Sequence, residues 1–323
     1  MQYSQSTAND GCTLAFQTSL PLSIDRTQTP ATGAEGVCIL LMHGFSGSST
    51  YFERNFAALS AAGYWVVAPD MRGHGRSGRS RGGYHVARLA ADLRELLAHL
   101  REASGRKESS ALKFIPVGCS IGAAVLWTYV ELFGCSDFAG LAFVDQAPLQ
   151  DRSPFGGEGG WDETRAHLGC YDEKTMLAAQ ETLVRDPEAA HAGLVASCLG
   201  YRFAPEPSDA AAISTEQREH DERFFTQISA LCDPEWLARL LADHTRYDHR
   251  EAIEAIDVPT LVMAGRRTGC FPLEGMRETV RRAEKNRPGL ATWSVFDAGH
   301  WLFYEEPERF NKEIVDFARR CTA

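Results

Sequence analysis

Short apolar runs alternate along the chain with helical patterns. The runs lie at residues 37–42, 64–68, 114–117, 141–144, 260–264 and 293–296. They are nearly continuous rather than alternating, as expected of strands covered on both faces, so they predict a mostly parallel buried sheet. Between the second and third runs, Val86, Leu89, Leu93, Leu96, Leu97 and Leu100 recur at helical spacing. That spacing predicts a crossover helix packed on the sheet. A weaker alternation over 13–19 predicts an antiparallel edge strand. The fold class that follows is α/β, with three layers.

The rhythm breaks once. Residues 149–254 contain no convincing sheet strand, only amphipathic pieces at 176–184 and 224–241, a glycine-rich joint at 156–160 and a proline loop around Pro205 and Pro207. This predicts a helical cap over 149–254, inserted between the strands near 141–145 and 260–264, with the core built from 1–148 and 255–323. A disordered linker is the alternative. Trp161, Tyr171, Tyr201, Phe224, Phe225 and Trp236 supply more aromatic mass than disorder tolerates.

Bulk properties narrow the partners. At 323 residues the chain has room for one core domain carrying a large insertion. Its formal charge of −10, with no basic cluster, argues against nucleic-acid and anionic-membrane partners. The first residues show no leader pattern and no apolar run is long enough to span a bilayer, so a cytoplasmic location and a small-molecule substrate are expected. Nine cysteines without a Cys-x-x-Cys pair predict neither a disulfide framework nor a zinc site. Oligomeric state stays open.

The chemistry centres on Gly118-Cys119-Ser120-Ile121-Gly122, which follows the third run and opens an alanine-rich helical segment. This is the pattern of a nucleophile elbow, where a strained strand-to-helix turn exposes the serine hydroxyl and aims the first helical amides at whatever it attacks. His43-Gly44-Phe45 follows the first run and offers the Phe45 amide as a second oxyanion donor. Asp70-Met71-Arg72-Gly73-His74-Gly75 follows the second run, at the carboxyl end of the sheet where ligands sit. Ala298-Gly299-His300-Trp301 follows the last. The order Ser120, acid, His300 is the one this elbow type uses. His43, His74 and His249 read as structural, and none of the histidines has metal-ligand spacing. The Cys119 side chain is expected to point away from Ser120, and Arg266-Arg267 reads as a solvated loop, with binding of an anionic group near the mouth the alternative.

In these segments the chain resembles the α/β-hydrolase superfamily from His43 to Phe317, most closely the capped branch of esterases, lactonases, epoxide hydrolases and cofactor-free haloperoxidases. The resemblance implies the three-layer α/β-hydrolase fold, Ser120 as nucleophile, His300 as general base, and the amides of Phe45 and Ile121 as the oxyanion hole. An elbow serine counts against epoxide hydrolysis and dehalogenation, whose family members carry an aspartate there. One departure stands out, because the loop after 260–264 has Thr268 where the family places its acid. Asp145, at the end of the 141–144 run, is the nearest replacement, and some superfamily members resemble this arrangement. Capping of the strand end by Asp145 is the alternative, and Asp297 reads as a turn residue.

The expected function is that of a serine hydrolase cleaving an ester or lactone of a medium-sized, largely apolar molecule through an acyl-enzyme. Phe45, Trp161, Phe225 and Trp301 are the candidate substrate contacts, and neither cofactor nor metal is implied. Carbon-carbon or acyl-thioester hydrolysis is an alternative with the same machinery. A small-molecule receptor without catalysis is the alternative of another class.

Overall fold

The computed structural model describes residues 2–20, 36–105, 112–152, 169–203 and 213–322. Eight strands form one sheet: β1 (Gln2–Thr7), β2 (Thr13–Thr18), β3 (Val37–Met42), β4 (Trp65–Pro69), β5 (Lys113–Cys119), β6 (Leu141–Val144), β7 (Thr260–Gly265) and β8 (Ala291–Phe296). Their order is β1-β2-β4-β3-β5-β6-β7-β8. Strands β3 to β8 run parallel, and β1 and β2 are antiparallel. Every residue of β3, β4, β6 and β7 is buried, as their continuous apolar sequences require. β1 was not expected. Its sequence is almost wholly polar, and an exposed edge strand held by backbone pairing to β2 leaves no apolar period to read.

One face of the sheet is covered by α2 (Val86–Ser104), α3 (Ile121–Phe133) and α9 (Leu273–Ala283), the other by α1 (Phe56–Ala61), α10 (Leu302–Glu305) and α11 (Pro307–Thr322). α2 buries the six apolar residues whose spacing predicted it and ends at Gly105 in the left-handed region (φ 63°). The helix after the elbow, α3, is buried from Ile121 through Val130, so it is the central helix of its layer.

Between β6 and β7 come α4 (Glu173–Arg185), α5 (Pro187–Cys198), α6 (Thr215–Ser229), α7 (Pro234–Arg246) and α8 (Arg250–Glu254). The stretch 224–241, expected as one amphipathic piece, is two helices. Asp233 accepts the Trp236 amide as the cap of α7 and Pro234 occupies its first turn, so the chain must break there. The insertion is rooted by a bridge between Leu149 and Asp248 and by a hydrogen bond from His249 N to the Pro148 carbonyl, 3.1 Å. Since α8 packs on α3 and α9, the chain rejoins the core at Asp248 rather than at residue 254. The glycine joint 156–160, Trp161 and the loop with Pro205 and Pro207 lie outside the described residues. Among the described residues, no helix is long and apolar enough to cross a membrane.

Candidate active site

The sharpest local constraint is the turn into α3. Ser120 sits there at φ 53° and ψ −125°, a conformation that L-residues adopt only under tertiary constraint. The flanking glycines are sterically required: a Cβ on Gly118 would stand 2.6 Å from the Ala123 nitrogen, and one on Gly122 would stand 2.8 Å from the Met42 carbonyl oxygen. A Cβ on Gly44 would meet the Ser120 Cβ at 3.3 Å, so the loop after β3 passes directly over the serine. Neither the Phe45 nor the Ile121 amide has a hydrogen-bond partner among the described residues, as is usual for a first-turn helical amide such as that of Ile121. Cys119 is buried in the core at the end of β5, and burial pushes its thiol pKa well up.

His300 is gripped by a carboxylate. Its Nδ1 lies 2.7 Å from Asp145 Oδ2, while Asp145 Oδ1 accepts the Gly265 amide at 2.9 Å. Asp145 is completely buried at φ 47°, with its own amide bonded to the Met263 carbonyl, 2.8 Å. Burial alone would disfavour the imidazolium, but Cys270, Asp145 and Glu305 outweigh it and raise the His300 pKa. Thr268, in the loop after β7, turns its hydroxyl to the Cys270 amide, 3.0 Å. His43 bonds the Gly44 carbonyl and accepts the Met71 amide, and His74 bonds the Arg72 carbonyl; both ring nitrogens of buried His249 lack a partner among the described residues, and Arg267, expected in a solvated loop, is instead largely covered and paired with Asp297.

Ser120 and His300 line one cavity of about 480 Å³. Phe45, Phe271 and Trp301 complete its core side, and Tyr171, Leu183, Leu194 and Leu241 its cap side. Phe225 does not reach it. That ring is stacked flat against Trp301 on the far side, 3.6 Å between centroids, because Tyr51 and Tyr304 close the remaining space around it. It therefore supports the wall rather than forming it, and Trp161 lies outside the described residues.

Two features had no motif to announce them. Glu305, at the end of α10, accepts the amides of Gly299 and Gly200, each at 3.1 Å, and so ties the segment before His300 to the cap. Cys198 and Cys270 place their sulfurs 3.6 Å apart beside His300. They are remote in sequence, so only the folded cap brings them together.

The family described as "alpha/beta hydrolase fold" matches residues 37–307, and the chain belongs to it. Membership supports a hydrolase. Epoxide hydrolase A of Mycobacterium tuberculosis is 28% identical over 86% of this chain and 89% of its own length. A non-heme haloperoxidase of Rhodococcus erythropolis is 27% identical over 86% and 91%. Among solved structures, a bromoperoxidase from Bacillus anthracis superposes with a TM-score of 0.77 at 20% identity, covering 98% of this chain and all of its own. An enol-lactonase from Burkholderia xenovorans gives 0.71 at 18% identity with the same coverage. At these identities the superpositions speak for the fold.

Two outcomes follow. Gly122→Ala should lower unfolding free energy by about 1–3 kcal/mol in urea titrations, since the new Cβ meets backbone rather than a movable side chain. Glu305, half-buried by accessible surface, has its pKa raised by desolvation to about 7, partly offset by the two amides. A raised carboxyl pKa means that the folded state binds the proton more tightly, so the stability this group contributes is full below about pH 4.5 and lost as pH rises through about 7. Glu305→Gln keeps the acceptor for both amides. Its stability relative to the unmodified protein should therefore rise by about 3 kcal/mol between pH 4.5 and 8, and a difference independent of pH would contradict the burial argument.

Proposed function

We propose that the chain is a serine hydrolase that cleaves an ester or lactone of a medium-sized, largely apolar molecule through an acyl-enzyme. The observation that carries this is the His300–Asp145 hydrogen bond at the wall of the cavity that also holds the elbow serine. Ser120 Oγ attacks the carbonyl carbon as His300 takes its proton, and Asp145 fixes the imidazole and stabilises its cationic form. The amides of Phe45 and Ile121 receive the tetrahedral oxyanion. His300 then protonates the departing alkoxide. Water, activated by the same imidazole, attacks the acyl-enzyme, and collapse of the second intermediate returns Ser120.

The elbow residue limits the chemistry. A serine that opened an epoxide would be left as an alkyl ether, with no carbonyl for water to attack. An acyl substrate leaves an ester, which water can resolve. The cavity volume lies within the range of small-molecule sites, and its aromatic and aliphatic walls suit an apolar substrate. Relatives and neighbours named as a haloperoxidase and an enol-lactonase are compatible with an acyl-enzyme on this fold.

A fluorophosphonate probe should label Ser120 rapidly, located by peptide mass spectrometry, and Ser120→Ala should abolish the label. A protein that takes no label at Ser120 would favour a receptor instead. Asp145→Asn should stay folded, because asparagine tolerates the left-handed backbone that Asp145 adopts, yet lower turnover of an activated ester by roughly 10²–10⁴-fold. Turnover like that of the unmodified enzyme would remove Asp145 from the mechanism.

A further inference from the structure

Two cysteines and the histidine of the candidate site form a ligand set that the proposed hydrolysis does not use. Cys198 ends α5 in the cap, Cys270 lies in the loop after β7, and His300 follows β8. One ligand atom from each lies within 4.8 Å of the others, and all three residues line the cavity. The two sulfurs are 3.6 Å apart. Two thiolates on a tetrahedral zinc, with metal–sulfur bonds of about 2.3 Å, stand about 3.8 Å from each other, so the pair already has the edge length of such a site. Neither thiol is in a disulfide, and Cys270 Sγ also lies 3.7 Å from the Ser197 carbonyl oxygen.

We propose that Cys198, Cys270 and His300 form a binding site for a soft divalent cation of the zinc class, and that its occupation switches the hydrolase off. The charges suit a buried position. Each cysteine releases a proton to solvent on binding, and two thiolates plus a neutral imidazole on a divalent ion give a net-neutral cluster, which avoids burying an uncompensated charge. The fourth position is left to water from the cavity. Asp145 bonds His300 Nδ1, the outer-shell carboxylate that commonly orients a metal-binding imidazole through its other nitrogen.

Inhibition follows whichever ring nitrogen binds. Ligation through Nε2 occupies the lone pair that must take the Ser120 proton, and ligation through Nδ1 displaces Asp145. Either way the imidazole cannot serve as base while the ion is bound. This inhibitory consequence rests on the proposed role of His300, whereas the binding does not.

The test uses the full chain, fully reduced and free of metal, with Zn²⁺ and Co²⁺ as probes. Equilibrium dialysis should find one tightly held Zn²⁺ per chain in the unmodified protein and in Ser120→Ala, and loss of that ion in the double variant Cys198→Ser, Cys270→Ser. Co²⁺ should give a thiolate-to-metal charge-transfer band that the double variant lacks. Zn²⁺ should abolish hydrolysis of p-nitrophenyl butyrate by the unmodified protein, EDTA should restore it, and the double variant should keep its own rate when Zn²⁺ is added. Zinc uptake equal in the two proteins, no uptake at all, or a cobalt spectrum without the thiolate band overturns the site. If the ion binds through the cysteines but the metal-free protein neither hydrolyses esters nor takes the fluorophosphonate label, the metal site stands and the hydrolase reading falls. Ester hydrolysis that continues undiminished with the ion bound through the cysteines overturns the switch.

Discussion

Asp145 reaches His300 across a neighbouring strand, and the geometry around the site depends on that reach. The carboxylate leaves the end of β6, crosses the end of β7 by accepting the Gly265 amide, and meets the imidazole supplied after β8. Three adjacent parallel strands are thereby joined at their carboxyl ends by one side chain. The crossing is possible because the chain is so thin there: a Cβ on Gly265 would stand 2.1 Å from the Gly299 carbonyl oxygen. With the carboxylate that meets His300 drawn from β6, the loop after β7 presents none to it, and that is the loop in which Thr268 closes a turn and Cys270 faces His300.

The same end of the sheet fixes the cap. His300 N donates to the Cys198 carbonyl at 2.8 Å, Gly269 N donates to the Ser197 carbonyl at 3.0 Å, and Glu305 holds Gly200 and Gly299 together. The first two are backbone bonds from the core to the end of α5, and the third is a side-chain clamp on two backbone amides. Phe225 of α6 adds its stack on Trp301, the residue after His300. The C-terminal end of α5 and the His300 segment are thus tied together, so a change of cap position at this edge would move His300 as well as the cavity wall.

How much of this could be read beforehand depends on the range of the interaction. Buried strands write their environment into continuous apolar runs, and the elbow writes its sterics into Gly118 and Gly122, so both were legible. Asp145 was reachable only indirectly, through the empty position at Thr268, because a buried aspartate at a strand end has no local pattern of its own. The polar strand β1 had no apolar period, and its edge position is what spares it one. Glu305 looks like any glutamate near a helix end until the fold sets Gly200 and Gly299 beside it. Phe225 was chosen for aromatic mass, which predicts burial well but cannot say which side of Trp301 the ring will take. The Cys198–Cys270 approach is a product of cap docking and had no signal at either residue.

The cavity's charge pattern bears on the substrate. Among the described residues that line it there is no lysine or arginine, and the arginine pair after β7 does not supply one, since Arg267 is engaged with Asp297 outside the wall. The chain as a whole is acidic. A substrate bearing a carboxylate or phosphate would therefore give up hydration without meeting a counter-charge, a cost that burial enlarges. On the proposed reading a neutral ester or lactone avoids it, because negative charge would then appear only on the carbonyl oxygen during attack, opposite the amides of Phe45 and Ile121 and beside the imidazolium that Asp145 would stabilise. On the proposed reading, the reaction creates its negative charge opposite those two amides rather than bringing one in with the substrate.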